Sequence, residues 1–323
     1  MKRLLRTIVL SVALLTPLPV QARAAEYLIP VGRVIGLQLQ NETITVAAYD
    51  DALGSNAREA GLKIGDEILR VDGREVSCPE EIREAVSGGE AVELTVRRGS
   101  RQAAVTMTPV QTEDGPRLGV YLRQGIAGIG TVTFYDPESG LFGTLGHGVS
   151  DSGGSLLKMT RGSAYEAGVV SVKKGKSGDP GQLKGSALSE KPLGSLLRNT
   201  AQGVFGTCPQ GWTGSALPVA QYHQITTGSA TIRCQVGGGE VREYSVELLK
   251  IYPQTRPDGR NFLLKVTDPA LLEATGGIVQ GMSGSPICQN GKIVGAVTHV
   301  LVNDPTMGYG IFIENMLEAA IKP

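Results

Sequence analysis

The apolar positions of this chain fall in short runs, and most runs carry the two-residue alternation of strands with one buried face. Ile68, Leu69 and Val71 form one such run, followed by Val92 to Val96, Ala103 to Met107, Gly130 to Tyr135, Leu141 to Leu145 and Ala296 to Val302. Turn residues separate them: Asp72-Gly73, Arg98-Gly99-Ser100, Asp136-Pro137-Glu138-Ser139-Gly140 and Asn290-Gly291. Helical spacing is brief. One segment ends at Gly61, where glycine accepts the left-handed cap conformation, and another starts at Pro79 and sets Ile82, Ala85 and Val86 on one face. A third is marked by Asp268-Pro269, a common helix start. The pattern predicts a mainly β protein: a small α/β unit early in the chain, then a sandwich or barrel of short strands.

At 323 residues the chain is long enough for two folded units. Polar, turn-rich Gln111 to Pro116 reads as a linker, giving an α/β domain over 30–109 and a β domain over 115–323. Residues 1–25 place Lys2, Arg3 and Arg6 before an uncharged stretch, Thr7 to Gln21, and the small-residue site Ala22-Arg23-Ala24-Ala25. That order is an export signal, either cleaved or retained as an anchor. Pro17, Pro19 and a length below the ~20 residues of a membrane span favour cleavage after Ala24. Lys plus Arg and Asp plus Glu each total 31, so no basic excess exists to neutralise a phosphate backbone, and nucleic acid is not an expected partner. Cys78, Cys208, Cys234 and Cys288 lack the close spacing of a zinc site, and no metal or other cofactor is expected. Export permits a disulfide, for which Cys208 and Cys234 are the first pair to test; the alternative is buried free thiols.

The chemistry concentrates in Gly281-Met282-Ser283-Gly284-Ser285-Pro286. A serine hydroxyl becomes a nucleophile only when a base takes its proton and dipoles stabilise the oxyanion it creates. Flanking glycines let a tight turn aim the N–H groups of Gly281 and Ser283 at one point. Ser285 is the competing serine. Of three histidines, His147 ends an apolar strand among small residues and is the candidate base, while His299 lies sixteen residues after Ser283 on a predicted strand and His223 sits in a polar segment.

These motifs support resemblances. The Ser283 segment resembles the nucleophile region of chymotrypsin-like serine proteases, which implies a double β-barrel and the His-then-Ser order seen here. The run Ala60-Gly61-Leu62-Lys63-Ile64-Gly65-Asp66-Glu67-Ile68-Leu69-Arg70-Val71-Asp72-Gly73 resembles bacterial PDZ domains, which take an extended peptide or C-terminal tail as an added strand. By that resemblance Ile35-Gly36-Leu37 is the expected carboxylate-binding loop. Gly143 to Asp151, Val266 to Gly295 and Ala296 to Val300 together resemble the SpoIVB peptidase family. The resemblance implies a triad of His147, Asp268 and Ser283, with Thr298 lining the substrate strand. The order departs from chymotrypsin-like enzymes, whose aspartate lies far upstream of the serine. Asp268 could instead cap its helix, and Asp151 is the alternative carboxylate. The family further implies a sporulation signalling protease in the space between forespore and mother-cell membranes. Such a protease cleaves itself and a membrane-bound regulator of an intramembrane protease, with Tyr27 to Arg33 the expected self-cleavage segment. Alternatives of other kinds are a noncatalytic PDZ scaffold and an HtrA-like quality-control protease.

Overall fold

The computed structural model describes residues 25–151, 154–256 and 258–322. Apart from Ala25, the export signal lies outside the described residues.

Strand β1 (Tyr27–Pro30) leads into β2 (Val34–Tyr49), which belongs to two structures at once. Its first half pairs with strands of a β-barrel, and its second half, from Ile44, enters the small α/β unit. That unit contains α1 (Gly54–Glu59), β3 (Glu67–Val71), β4 (Arg74–Glu75), α2 (Pro79–Ala85), β5 (Val92–Arg98) and β6 (Arg101–Met107). Ile44, Val46, Leu62, Ile68, Ile82 and Leu94 form its core. Asp66 is 1% exposed, and burial alone would raise its pKa. The Arg98 guanidinium, 2.6 Å away, and the Lys63 N–H outweigh that penalty and hold the carboxyl below its ordinary value.

Strand β7 (Val120–Tyr135) then runs back antiparallel along nearly the whole of β2. The first barrel is completed by β8 (Leu141–Thr144), β9 (Arg161–Lys173), β10 (Gln182–Thr200) and β11 (Gly203–Thr207), and the short β12 (Leu217–Pro218) pairs with β1. The pairings β2–β7–β8–β11–β10–β9–β2 close a ring. The second barrel comprises β13 (Gly228–Cys234), β14 (Arg242–Ile251), β15 (Phe262–Val266), β16 (Pro286–Gln289), β17 (Lys292–Leu301) and β18 (Asp304–Phe312), with α3 (Pro269–Thr275) between β15 and β16. Asn290 and Gly291, with φ of 51° and 73°, make the tight β16–β17 hairpin turn that Asn-Gly predicts. The final helix α4 (Ile313–Ile321) lays Ile313, Met316 and Leu317 against Ile293, Ala296 and Ile311 of the barrel.

The expected mainly β double barrel with a small α/β unit is therefore present, but the order differs from the expectation. The α/β unit does not simply precede the barrels; it is inserted into the first of them, between strands β2 and β7. Strand propensity in 34–49 is continuous, and only the register shift between Leu39 and Ile44 marks the passage from one structure to the other. The Gln111–Pro116 linker is a turn closed by the Val110–Arg117 backbone pair. Ile35-Gly36-Leu37 is not a ligand loop, because β7 and β9 occupy both edges of that strand. The four cysteines are free thiols. Cys208 and Cys234 belong to different core clusters, which removes the pairing considered for them.

Candidate active site

Ser283 sits on the turn before β16, and the turn is held by its carbonyls. Thr131 on β7 donates its hydroxyl to the Gly281 carbonyl (2.9 Å) and its N–H to the Ser283 carbonyl (3.0 Å), and Thr133 donates its hydroxyl to the Gly284 carbonyl (2.8 Å). The Gly284 N–H donates to Val297. Gly284 has φ +96°, and a Cβ there would stand 2.0 Å from the Thr131 carbonyl oxygen, so the position requires glycine. Ser285 is fully buried and donates to the Met282 carbonyl, which makes it a structural residue and leaves Ser283 as the nucleophile candidate. Among the described residues no backbone acceptor takes the N–H of Gly281 or of Ser283. Tied carbonyls and open N–H groups are what an oxyanion site needs.

His147 follows β8 through Leu145 and Gly146, both at φ 69°. A leucine in this region carries about 1–2 kcal/mol of strain, and strain of this kind collects at functional sites. It turns the chain so that Gly146 packs on Thr298 and the His147 ring lies against His299, with centroids 5.2 Å apart. Thr131 reaches this loop too: its carbonyl accepts from the Leu145 N–H (3.4 Å) and the Thr144 hydroxyl (2.6 Å). One buried residue thus ties the base loop to the nucleophile turn. His147 Nδ1 is 2.9 Å from the Gly148 carbonyl oxygen, which can only accept. The proton of the neutral ring therefore resides on Nδ1, and Nε2 keeps the lone pair a base requires. Burial lowers the His147 pKa below its ordinary value, opposed in part by that hydrogen bond, so the ring is neutral at pH 7.

The resting arrangement is not yet reactive. Ser283 Oγ donates to the Thr298 carbonyl at 2.7 Å, and no hydrogen bond among the described residues joins it to His147. A rotation about the serine χ1 bond is needed to present the hydroxyl proton to the base. Among the described residues Thr298 Oγ1 and His299 Nδ1 have no hydrogen-bond partner, although both are buried. Such orphaned groups are rare in finished interiors, and their clustering beside Ser283 marks a place built to meet another molecule. Burial, reinforced by the nearby His147 and Arg260, lowers the His299 pKa to about 4.

Of the two roles open to Asp268, the structure shows the helix cap. Its carboxylate accepts from the backbone N–H of Ala270 and Leu271, and from Ser245, so it caps helix α3. No hydrogen bond connects it to His147, whose Nδ1 is oriented by Gly148 instead. Asp151 accepts from the Ser155 N–H across a turn.

The α/β unit has a groove of a size to take a peptide, and it lies elsewhere than at Ile35. A groove of ≈ 390 Å³ runs between α2 and the start of β7, with Ile82 and Val86 on one wall and Val120 and Leu122 on the other. Its head is Leu118-Gly119-Val120, the same hydrophobic-glycine-hydrophobic pattern sought at Ile35, and Gly119 has φ 72°. The pattern was available in the sequence, but it follows the α/β unit rather than opening it.

Two family models match this chain. The family model for SpoIVB peptidase S55 matches residues 114–317, and a PDZ domain model matches 52–98. "Putative zinc metalloprotease Atu1380" of Agrobacterium fabrum is 33% identical over 100 residues, covering 30% of this chain and 26% of the relative. Serine protease HTRA1 of Xenopus laevis is 35% identical over 57 residues, 18% of this chain and 12% of the relative. The chain thus spans about a quarter or less of the length of these two relatives. Among solved structures, the active form of the Rv3671c protease from M. tuberculosis aligns with TM-score 0.39 and 14% identity, covering 61% of this chain and 76% of that one. The PDZ domain of an SdrC-like protein from Listeria monocytogenes aligns with TM-score 0.23 and 19% identity, covering 26% and 92%. With the family match spanning most of both barrels and including Ser283 and His147, this chain belongs to the SpoIVB peptidase S55 family and carries a PDZ domain.

Proposed function

We propose that Ser283 attacks a peptide carbonyl while His147 Nε2 takes its proton. The Oγ–C bond forms as the carbonyl oxygen becomes an oxyanion facing the N–H groups of Gly281 and Ser283. Collapse of that intermediate breaks the C–N bond, and the imidazolium returns its proton to the departing amine. Water, deprotonated by the same imidazole, then releases the acyl group and restores the serine. The Gly148 carbonyl fixes the tautomer. The observation that carries this reading is the pairing of free oxyanion donors with a neutral, Nδ1-protonated imidazole on loops tied to the same Thr131.

The substrates proposed are exported proteins, among them a membrane-bound regulator of an intramembrane protease in sporulation signalling and the enzyme itself, and the working compartment is the space between the forespore and mother-cell membranes. Family membership and the export-type N-terminus support this role. Self-cleavage at Tyr27 to Arg33 does not fit the folded enzyme: β1 pairs with β12 and β7, and Leu28 is fully buried. Cleavage in that segment would have to precede folding of β1 or follow its local release.

A serine-directed fluorophosphonate tests the chemistry: wild type labels, while Ser283→Ala does not, with unchanged circular dichroism. Equal labelling of the two would remove Ser283 from the mechanism. Incubation with unfolded casein beside candidate regulator ectodomains tests the role, and general degradation of casein would favour quality control.

A further inference from the structure

From Val120 to Thr131, β7 is paired on one edge only. Among the described residues its sole strand partner over that span is β2. Folded proteins normally cover or interrupt an exposed edge of this length, because its free N–H and C=O groups invite another strand. Ala127 and Gly128 on this stretch are exposed. The two ends of the edge have distinct chemistry. At Thr131 the N–H and C=O turn away from β2, toward Ser283 and Leu145 of the catalytic loops. By the alternation of an antiparallel ladder, Ile129 and Ala127 turn theirs the same way. At Leu118-Gly119 no backbone acceptor among the described residues takes either N–H; Arg83, Arg117 and the carboxylates Asp50 and Asp114 line the groove, Arg117 being paired with Asp114 at 3.0 Å, so the two backbone N–H groups and Arg83 are what a carboxylate would meet.

Taking the peptidase reading as given, we propose that β7 is a measuring track: the substrate adds as a strand antiparallel to β7, its free C-terminal carboxylate at Leu118-Gly119 and its scissile bond at Ser283. The polarity follows from the ends. A carboxylate held at the start of β7 sends the upstream residues of an antiparallel peptide toward Thr131. The residues after the scissile bond therefore lie on the track, and the amine product is the C-terminal tail. Val120 and Thr131 are 11 positions apart, which at ~3.3 Å per residue is about 36 Å, and an antiparallel partner advances at the same rate. The preferred substrate is cut about 11 residues before its C-terminus. The track has two irregularities. Gly125, at φ 81°, is a bulge, and the Gln124 amide bonds to the Ser77 carbonyl beside the groove and must yield to an occupant.

The test uses the full enzyme and a mixture of 30-residue peptides with randomised sequence, prepared with a free carboxylate or as the amide. Products are mapped by mass spectrometry. The expected result is a maximum of cleavage about 11 residues from the free C-terminus, and at least tenfold less at that distance in the amides. Ala127→Pro removes an outward N–H without touching the β2 ladder. It should abolish the length preference while fluorophosphonate labelling of Ser283 persists. Cleavage indifferent to distance from the C-terminus, or equal in acid and amide, overturns the track. So does a dimer that Ala127→Pro dissociates in light scattering, since the edge would then belong to a second copy. Failure of the peptidase reading looks different: no peptide is cut and no label is taken.

Discussion

The sharpest division between what the family resemblance implies and what the geometry shows lies at Asp268, and Asp268→Asn separates the two. As a cap, Asp268 gives one oxygen to the N–H groups of Ala270 and Leu271 at 2.9 and 3.1 Å. Asparagine keeps a side-chain oxygen in that place and caps about as well as aspartate, giving up only the exposed 3.3 Å bond from the Ser245 N–H to the second oxygen, whereas alanine loses about 1 kcal/mol, with a range of about 0.5–2. The cap reading therefore predicts that Asp268→Asn leaves both melting temperature and kcat close to wild type, and that Asp268→Ala lowers stability by about 1 kcal/mol with kcat within a few-fold. A triad aspartate behaves oppositely. Replacing it by asparagine preserves the fold but costs about 10⁴ in kcat, because the amide favours the wrong imidazole tautomer and cannot stabilise the imidazolium. At 1.36 kcal/mol per decade that is over 5 kcal/mol of barrier, far outside any indirect effect of a cap. The assay is burst and steady-state hydrolysis of a quenched fluorescent peptide beside urea titration of the same variants. A thousandfold loss of kcat in Asp268→Asn with unchanged stability would refute the capping account. It would require α3 to move toward His147 in the working enzyme.

Other outcomes follow from the same geometry. Thr131→Val keeps the shape and the backbone bonds but strands the Gly281 carbonyl, so stability should fall by about 1–3 kcal/mol and kcat by tenfold or more as the oxyanion turn loosens; urea titration and kinetics read both. Gly284→Ala forces a Cβ onto the Thr131 carbonyl, and loss of fluorophosphonate labelling should exceed any loss of PDZ peptide binding. His147 and His299 both have lowered pKa values, so below the ordinary histidine pKa the unfolded chain binds protons that the folded chain refuses. Their contribution to stability is thus complete above about pH 6.5 and falls with decreasing pH until the folded groups protonate, near pH 4 for His299. Thermal melts from pH 7.5 to 4 should show this slope, reduced in His299→Gln, and the acid limb of kcat/KM should lie below pH 6.5. Arg98→Met leaves the buried Asp66 carboxylate without its half-exposed partner and should lower the urea midpoint, whereas an unchanged midpoint would show that solvent replaces the guanidinium.

Much of this protein was legible in its residues because the signals were local. Glycine on both sides of Ser283, Asn290-Gly291 before an apolar run, Pro79 and Gly61 at helix ends and Asp66 after Gly65 each act within a few positions, and each does in the structure what its chemistry dictates. His147 was found because only three imidazoles exist and one ends a strand among small residues. Strand pairing is a different kind of information. Alternation marks Gly130 to Tyr135 as a strand, yet does not say that β7 continues back to Val120 or that β2 and β7 each belong to two structures, because a pleat presents the same face whichever partner occupies its edge. The insertion of the PDZ domain into the first barrel, the occupation of both strand edges at Ile35 and the meeting of Thr131 with the loops of Ser283 and His147 were all decided by register. Asp268 shows the same limit from the other side. A carboxylate before Pro269 satisfies both a helix cap and the family's spacing to serine, and only the positions of the surrounding N–H groups choose between them.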